Sequence, residues 1–211
     1  MLHTEIGASQ KSMNNAYLTT MVKEAQETSR KIESAFGGFD VTQLNWQEAP
    51  NRWSVGQCLD HLIITNQHYF PQFKEIAEGK KRSTSWERFP LLPWMFGSIL
   101  SWTVRPDTQI KIKTFRGFQP RQGNIPTVIV RDFGDHIDGL LELISSTDWV
   151  DHERVLITSP VAHFITYNLK YAVTILITHL ELHHRQALHN VELDDFPLAC
   201  LSIAVLLERT G

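Results

Sequence analysis

Two histidines near the end of the chain stand four residues apart, in a stretch otherwise patterned as an amphipathic helix. They are His179 and His183, in the run THLELHHRQ at residues 178–186. Residues with this spacing lie about 5–6 Å apart at Cβ and project over the same turn, so their ring nitrogens can converge on one ion. The pair is therefore a candidate for two ligands of a metal site. The alternative is a pair of hydrogen-bonded core imidazoles, since the spacing is weak evidence among 10 histidines in 211 residues.

A metal site of this kind needs a further ligand, because catalytic zinc commonly takes three protein ligands and keeps one position open. His184 does not fit: five positions after His179 it is rotated by about 140°, toward the bundle edge or solvent. His61 is the best candidate, and His68 two turns later remains an alternative that periodicity alone does not exclude. We interpret Cys58, one turn before His61, as a small buried hydrophobe rather than a ligand.

No general base is evident beside these histidines, so the sequence leaves the catalytic residues unassigned. Asp60 adjoins His61 but faces about 100° away on a helix, and Glu181 lies off the face shared by the histidine pair. Charged side chains on another predicted helix could approach the end of the bundle, although such charges usually form a solvated face: Asp132, Asp135 and His136.

The elements that must position these residues are helices. Apolar residues recur with helical spacing in four long stretches, and Ser54 with Gln57 predicts a capping box at the start of the second. Gly37 and Gly38 end the first helix, and Pro126 opens the third. The predicted helices cover about 12–36, 54–78, 126–146 and from after Thr166 to 189, with a short apolar fifth helix in PLACLSIAVLLER, residues 197–209. This count predicts an all-α, up-and-down four-helix bundle.

Length and composition favour one domain spanning residues 1–211, with residues 80–121 as an irregular insertion between the second and third helices. The formal charge of −3 comes without a basic stripe, which argues against nucleic acid as a partner. Two cysteines and a polar N-terminus favour a reducing cytoplasm.

The apolar run 89–104 is too short and too interrupted by proline and glycine for a transmembrane segment. It favours a buried or lid-like helix, with a dimer contact or a membrane-surface patch as alternatives.

Four motifs in order carry a family resemblance: NRWSVGQCLDHL, then FQP before the third helix, then SPVAHFITYNLKYAVTILITH, and finally HLELHHRQ. Together they resemble the DinB/YfiT-like superfamily of metal-binding four-helix bundles over nearly the whole chain. The resemblance implies one ion held by His61, His179 and His183, with Gln186 near the same face. Two features depart from the family pattern: Arg185 stands where many relatives have glycine, and the 80–121 connection is longer than a minimal bundle needs.

The resemblance also implies a chemistry. Relatives include thiol-dependent S-transferases and an isomerase that uses a low-molecular-weight thiol. Three neutral imidazoles leave a divalent ion its full charge, which favours deprotonation of a thiol or water. We therefore expect a small-molecule substrate and S-transfer or hydrolysis, with zinc or nickel as the leading metals. The competing hypothesis is a non-catalytic metal-binding or structural bundle, and the apolar faces are compatible with a homodimer.

Overall fold

The computed structural model describes residues 13–82, 87, 114–162 and 164–197. These residues form six α-helices and one two-stranded sheet, in the order α1 (Ala16–Phe36), α2 (Val41–Asn45), α3 (Val55–Gln67), α4 (Phe70–Ala77), α5 (Ile129–Ser145), β1 (Leu156–Thr158), β2 (Thr166–Asn168) and α6 (Leu169–Val191). A 3₁₀ turn, Arg116–Phe118, precedes α5. The predominance of helix confirms the all-α prediction. None of the helices in the described ranges has the length and apolar character needed to cross a membrane.

Four long helices form the bundle, and contacts at their ends define their directions. Asn15 at the start of α1 donates its N–H to Asp148 just beyond the end of α5, so these helices are antiparallel. Tyr17 in the first turn of α1 donates to the carbonyl of Lys170 in the first turn of α6, so those two are parallel. Asn190 near the end of α6 donates to the carbonyl of Trp53 just before α3, which makes α3 and α6 antiparallel. The four helices α1, α3, α5 and α6 therefore run up, down, down and up.

The core is the volume enclosed by the apolar faces of these helices. The periodic positions that predicted the helices are the buried ones: fully buried side chains include Ile32 and Phe36 of α1, Leu59 and Leu62 of α3, Phe133 and Ile137 of α5, and Leu176 and Leu180 of α6. Burying an aliphatic or aromatic side chain contributes about 1.5–3 kcal/mol each. This core holds α3 and α6 side by side, which is the arrangement that a shared site on the two helices requires.

The second predicted helix is interrupted. A continuous helix to residue 78 was expected, but α3 ends at Gln67 and α4 begins at Phe70. Pro71 explains the break, because proline has no N–H to donate to the carbonyl four residues earlier and its ring clashes there. Tyr69 at the junction is buried, and its hydroxyl lies 2.8 Å from that of Tyr167 in β2.

Two small elements were not predicted. The helix α2 begins at a capping box made by Asp40 and Gln43, and it contacts α3. Strands β1 and β2 pair antiparallel, with Ile157 opposite Tyr167. Gln72 of α4 supports the hairpin, because its amide donates to the carbonyl of Thr158 and accepts from the N–H of the same residue.

The other differences concern boundaries. The third helix predicted from the sequence is α5, and it begins at Ile129 rather than at Pro126. A turn precedes it, in which the N–H of Ile129 donates to the carbonyl of Pro126. Within the predicted insertion at 80–121, the structure describes residues 80–82, 87 and 114–121, and Lys81 makes a 2.8 Å ion pair with the buried Glu87. The apolar run 89–104 and the predicted fifth helix after Pro197 lie outside the described residues.

Candidate metal centre

His61 occupies the second turn of α3, and the start of that helix is fixed by the predicted capping box. The hydroxyl of Ser54 accepts from the N–H of Gln57, and the side-chain oxygen of Gln57 accepts from the N–H of Ser54, each over 3.2 Å. This exchange satisfies two helix-terminal donors that would otherwise be unpaired. Because the first turn is fixed in this way, His61 faces α6 from a rigid position.

The three predicted histidines meet between α3 and α6. The Nε2 atom of His179 lies 3.2 Å from Nε2 of His61 and 2.9 Å from Nε2 of His183. One ligand atom of each residue lies within 4.8 Å of those of the other two. The structure therefore brings His61 together with His179 and His183, although His61 lies 118 positions before His179 in the sequence.

Two of the imidazoles are held with a defined nitrogen toward the cluster. His61 donates its Nδ1–H to the carbonyl of Phe118 over 2.5 Å, and His183 donates its Nδ1–H to Oε1 of Gln186 over 2.9 Å. A neutral imidazole has one N–H, so both Nε2 atoms present a lone pair to the cluster. The position predicted for Gln186, on the face of the histidines, is therefore confirmed.

Burial keeps these histidines neutral. It lowers the pKa of His183 to about 3, with a further contribution from the neighbouring His61. The pKa of His179 falls well below its ordinary value because of burial and because both other imidazoles are close. Burial also lowers the pKa of His61, although the Phe118 carbonyl opposes this by stabilising the protonated ring. At neutral pH the cluster therefore carries three uncharged rings, the form in which histidine binds metals.

Trp53 covers one side of the cluster. Its ring centroid lies 4.6 Å from that of His61 and 5.5 Å from that of His183, the latter at an interplanar angle of 30°. His61 and His183 are 4% and 6% exposed, whereas His179 is partly exposed. Of the three clustered residues, His179 is therefore the one with the most surface exposed to solvent.

This donor set fits a divalent ion. Nitrogens bound to zinc at about 2.0–2.1 Å in a tetrahedral arrangement lie about 3.3 Å from each other, close to the 2.9 Å and 3.2 Å separations of the cluster. Because the Nε2 atoms of His61 and His183 carry no proton, neither can donate a hydrogen bond to the other. A single N–H on His179 can satisfy only one of these two acceptors fully. A cation among the three nitrogens would satisfy all of them at once.

Two other candidate ligands, Cys58 on α3 and His68 directly after its end, lie outside the cluster. His68 contacts the carbonyl of Gly117 at 3.2 Å, and its ring packs 4.5 Å from that of Phe118. Cys58 is a buried free thiol whose pKa is raised by burial. Among the described residues, neither belongs to the cluster of potential ligands, in agreement with the interpretation of Cys58 as a buried hydrophobe.

His184 lies apart from the cluster, as its rotation on the helix predicted, and of the two predicted surroundings it faces the edge of the bundle rather than solvent. It is only 6% exposed and lines a groove between α1 and α6 with Arg30 and Leu188. Packing of α1 against this face of α6 accounts for the burial. Glu181 also lies off the cluster, since it accepts from Arg185 at 2.8 Å and from Thr28 at 3.4 Å.

The acidic and imidazole groups considered as bases are placed as follows. Asp60 is buried and paired with Arg121, Asp132 is paired with Arg131 at the surface, and Asp135 is exposed. His136 stacks on Phe70 with centroids 5.1 Å apart. None of them is among the clustered groups in the part of the chain that the structure describes.

The partners that hold the site were not predicted from the sequence. The Phe118 carbonyl, the Asp60 pair with Arg121 and the stacking of Trp53 all come from outside the helices that carry the ligands or from their edges. A backbone carbonyl leaves no signal in side-chain types. The segment FQP was singled out in the sequence only as part of the family resemblance, without Arg121 and without its contacts to α3.

The comparison with known families gives one match. The family model described as the DinB superfamily matches residues 24–187 of the 211-residue chain, an interval that contains all of α3, most of α6 and all three clustered histidines. Neither the curated proteins nor the solved structures gave a match.

Proposed function

Because this chain belongs to the DinB superfamily, we propose that it is a metal-dependent enzyme in which His61, His179 and His183 hold one divalent ion. The single observation that carries the proposal is the convergence of three imidazoles whose Nε2 atoms are 2.9 Å and 3.2 Å apart. Phe118 and Gln186 fix two of these rings in the tautomer that a metal requires.

The proposed reaction is transfer of a thiol to a small molecule, or its close neighbour, hydrolysis. When bound, the ion would supply a Lewis acid that makes a thiol or water easier to deprotonate. The chain contributes the surroundings: neutral ligands that leave the ion's charge uncompensated, Trp53 as a wall against solvent on one side, and His179 as the ligand with the most surface exposed to solvent. Asp60 does not serve as proton acceptor, because its carboxylate is engaged by Arg121.

We propose zinc or nickel as the ion, since imidazole nitrogen suits both and availability decides between metals of similar preference. The proposed partner is a low-molecular-weight thiol, the proposed location is the cytoplasm, and the proposed assembly is a homodimer. Exposed aromatic side chains on the surface, such as Trp149 at 63% and Phe164 at 55% exposure, are compatible with an interface. Light scattering after size exclusion measures the assembly state directly.

The second candidate function is a non-catalytic one, in which the ion ties α3 to α6. The observation that favours it is burial, since His61 and His183 are 4% and 6% exposed. Structural zinc usually has four protein ligands. Cys58, the ligand that a closed shell would recruit from α3, is outside the cluster among the described residues, so the geometry supports the open site better.

The first experiment is elemental analysis of protein purified without a histidine tag. We expect near-stoichiometric metal in the wild type and loss of that metal in His61→Ala and His183→Ala. His68→Ala and His184→Ala are matched controls, because each removes a histidine beside the cluster that does not join it. A wild type that takes up no zinc or nickel after incubation would refute the metal site.

Catalysis is tested separately with the metal-loaded protein. A panel of low-molecular-weight thiols with electrophilic small molecules, and a panel of hydrolysable substrates, are assayed for turnover that is lost in His183→Ala. Stoichiometric metal without turnover on either panel would exclude these two reactions and leave the structural role.

A further inference from the structure

Consecutive residues of α3 hold the same segment of chain. His61 donates to the carbonyl of Phe118, and Asp60 accepts from Arg121. The two side chains point in different directions from the helix, yet their partners are only three positions apart. This double attachment ties the segment 118–121 to the helix that presents His61.

The bond between Asp60 and Arg121 is the stronger of the two attachments. Asp60 accepts from the backbone N–H of Arg121 over 2.7 Å and from its Nε over 2.8 Å, and Nη2 of Arg121 lies 2.7 Å from the same carboxylate. The side chain of Asp60 is 4% exposed, whereas that of Arg121 is 59% exposed. A buried carboxylate with charge-assisted bonds from both backbone and guanidinium is a rigid anchor.

The chain between the two attachments is stiff. Gln119 adopts extended backbone angles, with φ −71° and ψ 141°, as expected of a residue before proline. Pro120 is buried and has a restricted φ. A displacement of Arg121 would therefore be transmitted to the carbonyl of Phe118 rather than absorbed between them.

From this arrangement we infer that Asp60 and Arg121 are positioning residues for the metal site. Their pair fixes the Phe118 carbonyl, which in turn fixes the tautomer and ring orientation of His61. The expected effect on metal affinity rests on the proposed metal site. The orientation of His61 by the Phe118 carbonyl does not, because it is present without a metal. It also makes the end of the 80–121 connection a determinant of the site.

The direction in which one substitution changes metal affinity distinguishes a positioning role from a purely electrostatic effect. Arg121→Met removes a positive charge and leaves the carboxylate of Asp60 unneutralised beside His61. Coulomb attraction alone would then strengthen the binding of a cation. The variant keeps the bond from the backbone N–H of residue 121 but loses both guanidinium bonds. The loosened anchor would weaken binding, because removal of groups that orient a metal ligand typically costs about 10–100-fold in affinity.

The experiment measures zinc affinity by chelator competition for the wild type, Arg121→Met and Arg154→Met. Arg154 is the matched control, since it is an 88% exposed arginine paired with Asp151 far along the chain from the cluster. We expect roughly tenfold weaker binding in Arg121→Met and wild-type affinity in Arg154→Met. Equal or tighter binding in Arg121→Met would overturn the inference.

A second readout uses metal-free protein and tests the same inference without metal. Nitrogen NMR of the imidazoles reports the His61 tautomer, and circular dichroism reports the melting temperature. We expect Arg121→Met to lose the single Nδ1–H form of His61 while the fold still melts cooperatively. An unchanged His61 signal would overturn positioning, whereas a wild type with this signal and no metal uptake would refute the proposed function alone.

Discussion

His183 and Gln186 form a hydrogen bond one turn apart on α6, with Nδ1 of the histidine 2.9 Å from Oε1 of the glutamine. The bond places the proton of His183 on the side away from the cluster. Gln186 thus acts on this ligand as the Phe118 carbonyl acts on His61. Gln186 is therefore in a position to orient His183, and its contribution can be measured.

Replacement of Gln186 by leucine should weaken metal binding. The substitution keeps the approximate volume but removes the acceptor, so His183 loses the preference for the tautomer with Nε2 free. We expect about tenfold lower zinc affinity, measured by chelator competition. Gln67→Leu, an exposed glutamine on α3, is the control, and equal affinities in the two variants would contradict the orienting role.

Trp53 should report metal binding through its fluorescence. Its indole lies 4.6 Å and 5.5 Å from two of the three imidazoles, so a bound nickel ion would be close enough to quench it. We expect titration with nickel to quench the wild type and Trp53→Phe to abolish most of that change, although five other tryptophans remain. Equal quenching in both proteins would show that the ion binds elsewhere.

Cys58 should contribute to stability and not to metal binding. It is fully buried, and burial raises the pKa of its thiol, so it remains protonated and apolar at neutral pH. Cys58→Ala should lower the free energy of unfolding by about 1 kcal/mol, the loss expected for a small buried group, as measured by urea denaturation. Metal content should stay at the wild-type value. A loss of metal would instead indicate a fourth ligand and support the structural role.

The acid sensitivity of the metal-free protein should depend in part on His136. Burial lowers the pKa of this histidine from 6.5 to about 4. Between these values the unfolded chain binds a proton that the folded protein does not, so the stability present above pH 6.5 is lost as the pH falls toward 4. The slope from one such group is at most ~1.4 kcal/mol per pH unit.

The variant His136→Phe preserves the stacking on Phe70 and removes the titration. Urea denaturation of chelator-treated protein from pH 8 to pH 4 should give a shallower loss of stability for the variant than for the wild type. The slopes of the two curves should become equal near pH 8, where the histidine is neutral in both the folded and the unfolded protein. Parallel curves across the range would show that His136 does not contribute.

The local features of this protein were determined by its sequence. Each of the four long helices α1, α3, α5 and α6 has enough apolar residues at helical spacing to define its buried face, and the Ser54 capping box acts over three residues. The spacing of His179 and His183 places both rings on one turn without help from the rest of the fold. Local hydrogen bonds and periodicity suffice for such features because they involve neighbours in the chain.

Tertiary structure decided which residues complete the site and which are removed from it. His61 and His179 are 118 positions apart, and only the packing of α3 against α6 brings them together. Helical periodicity alone did not decide whether His61 or His68 would join the pair. The burial of His184 required α1, and the orientation of His61 required a carbonyl from the connection before α5. These contacts depend on which apolar faces meet, and that is settled by the shape and packing of the whole core rather than by any single segment.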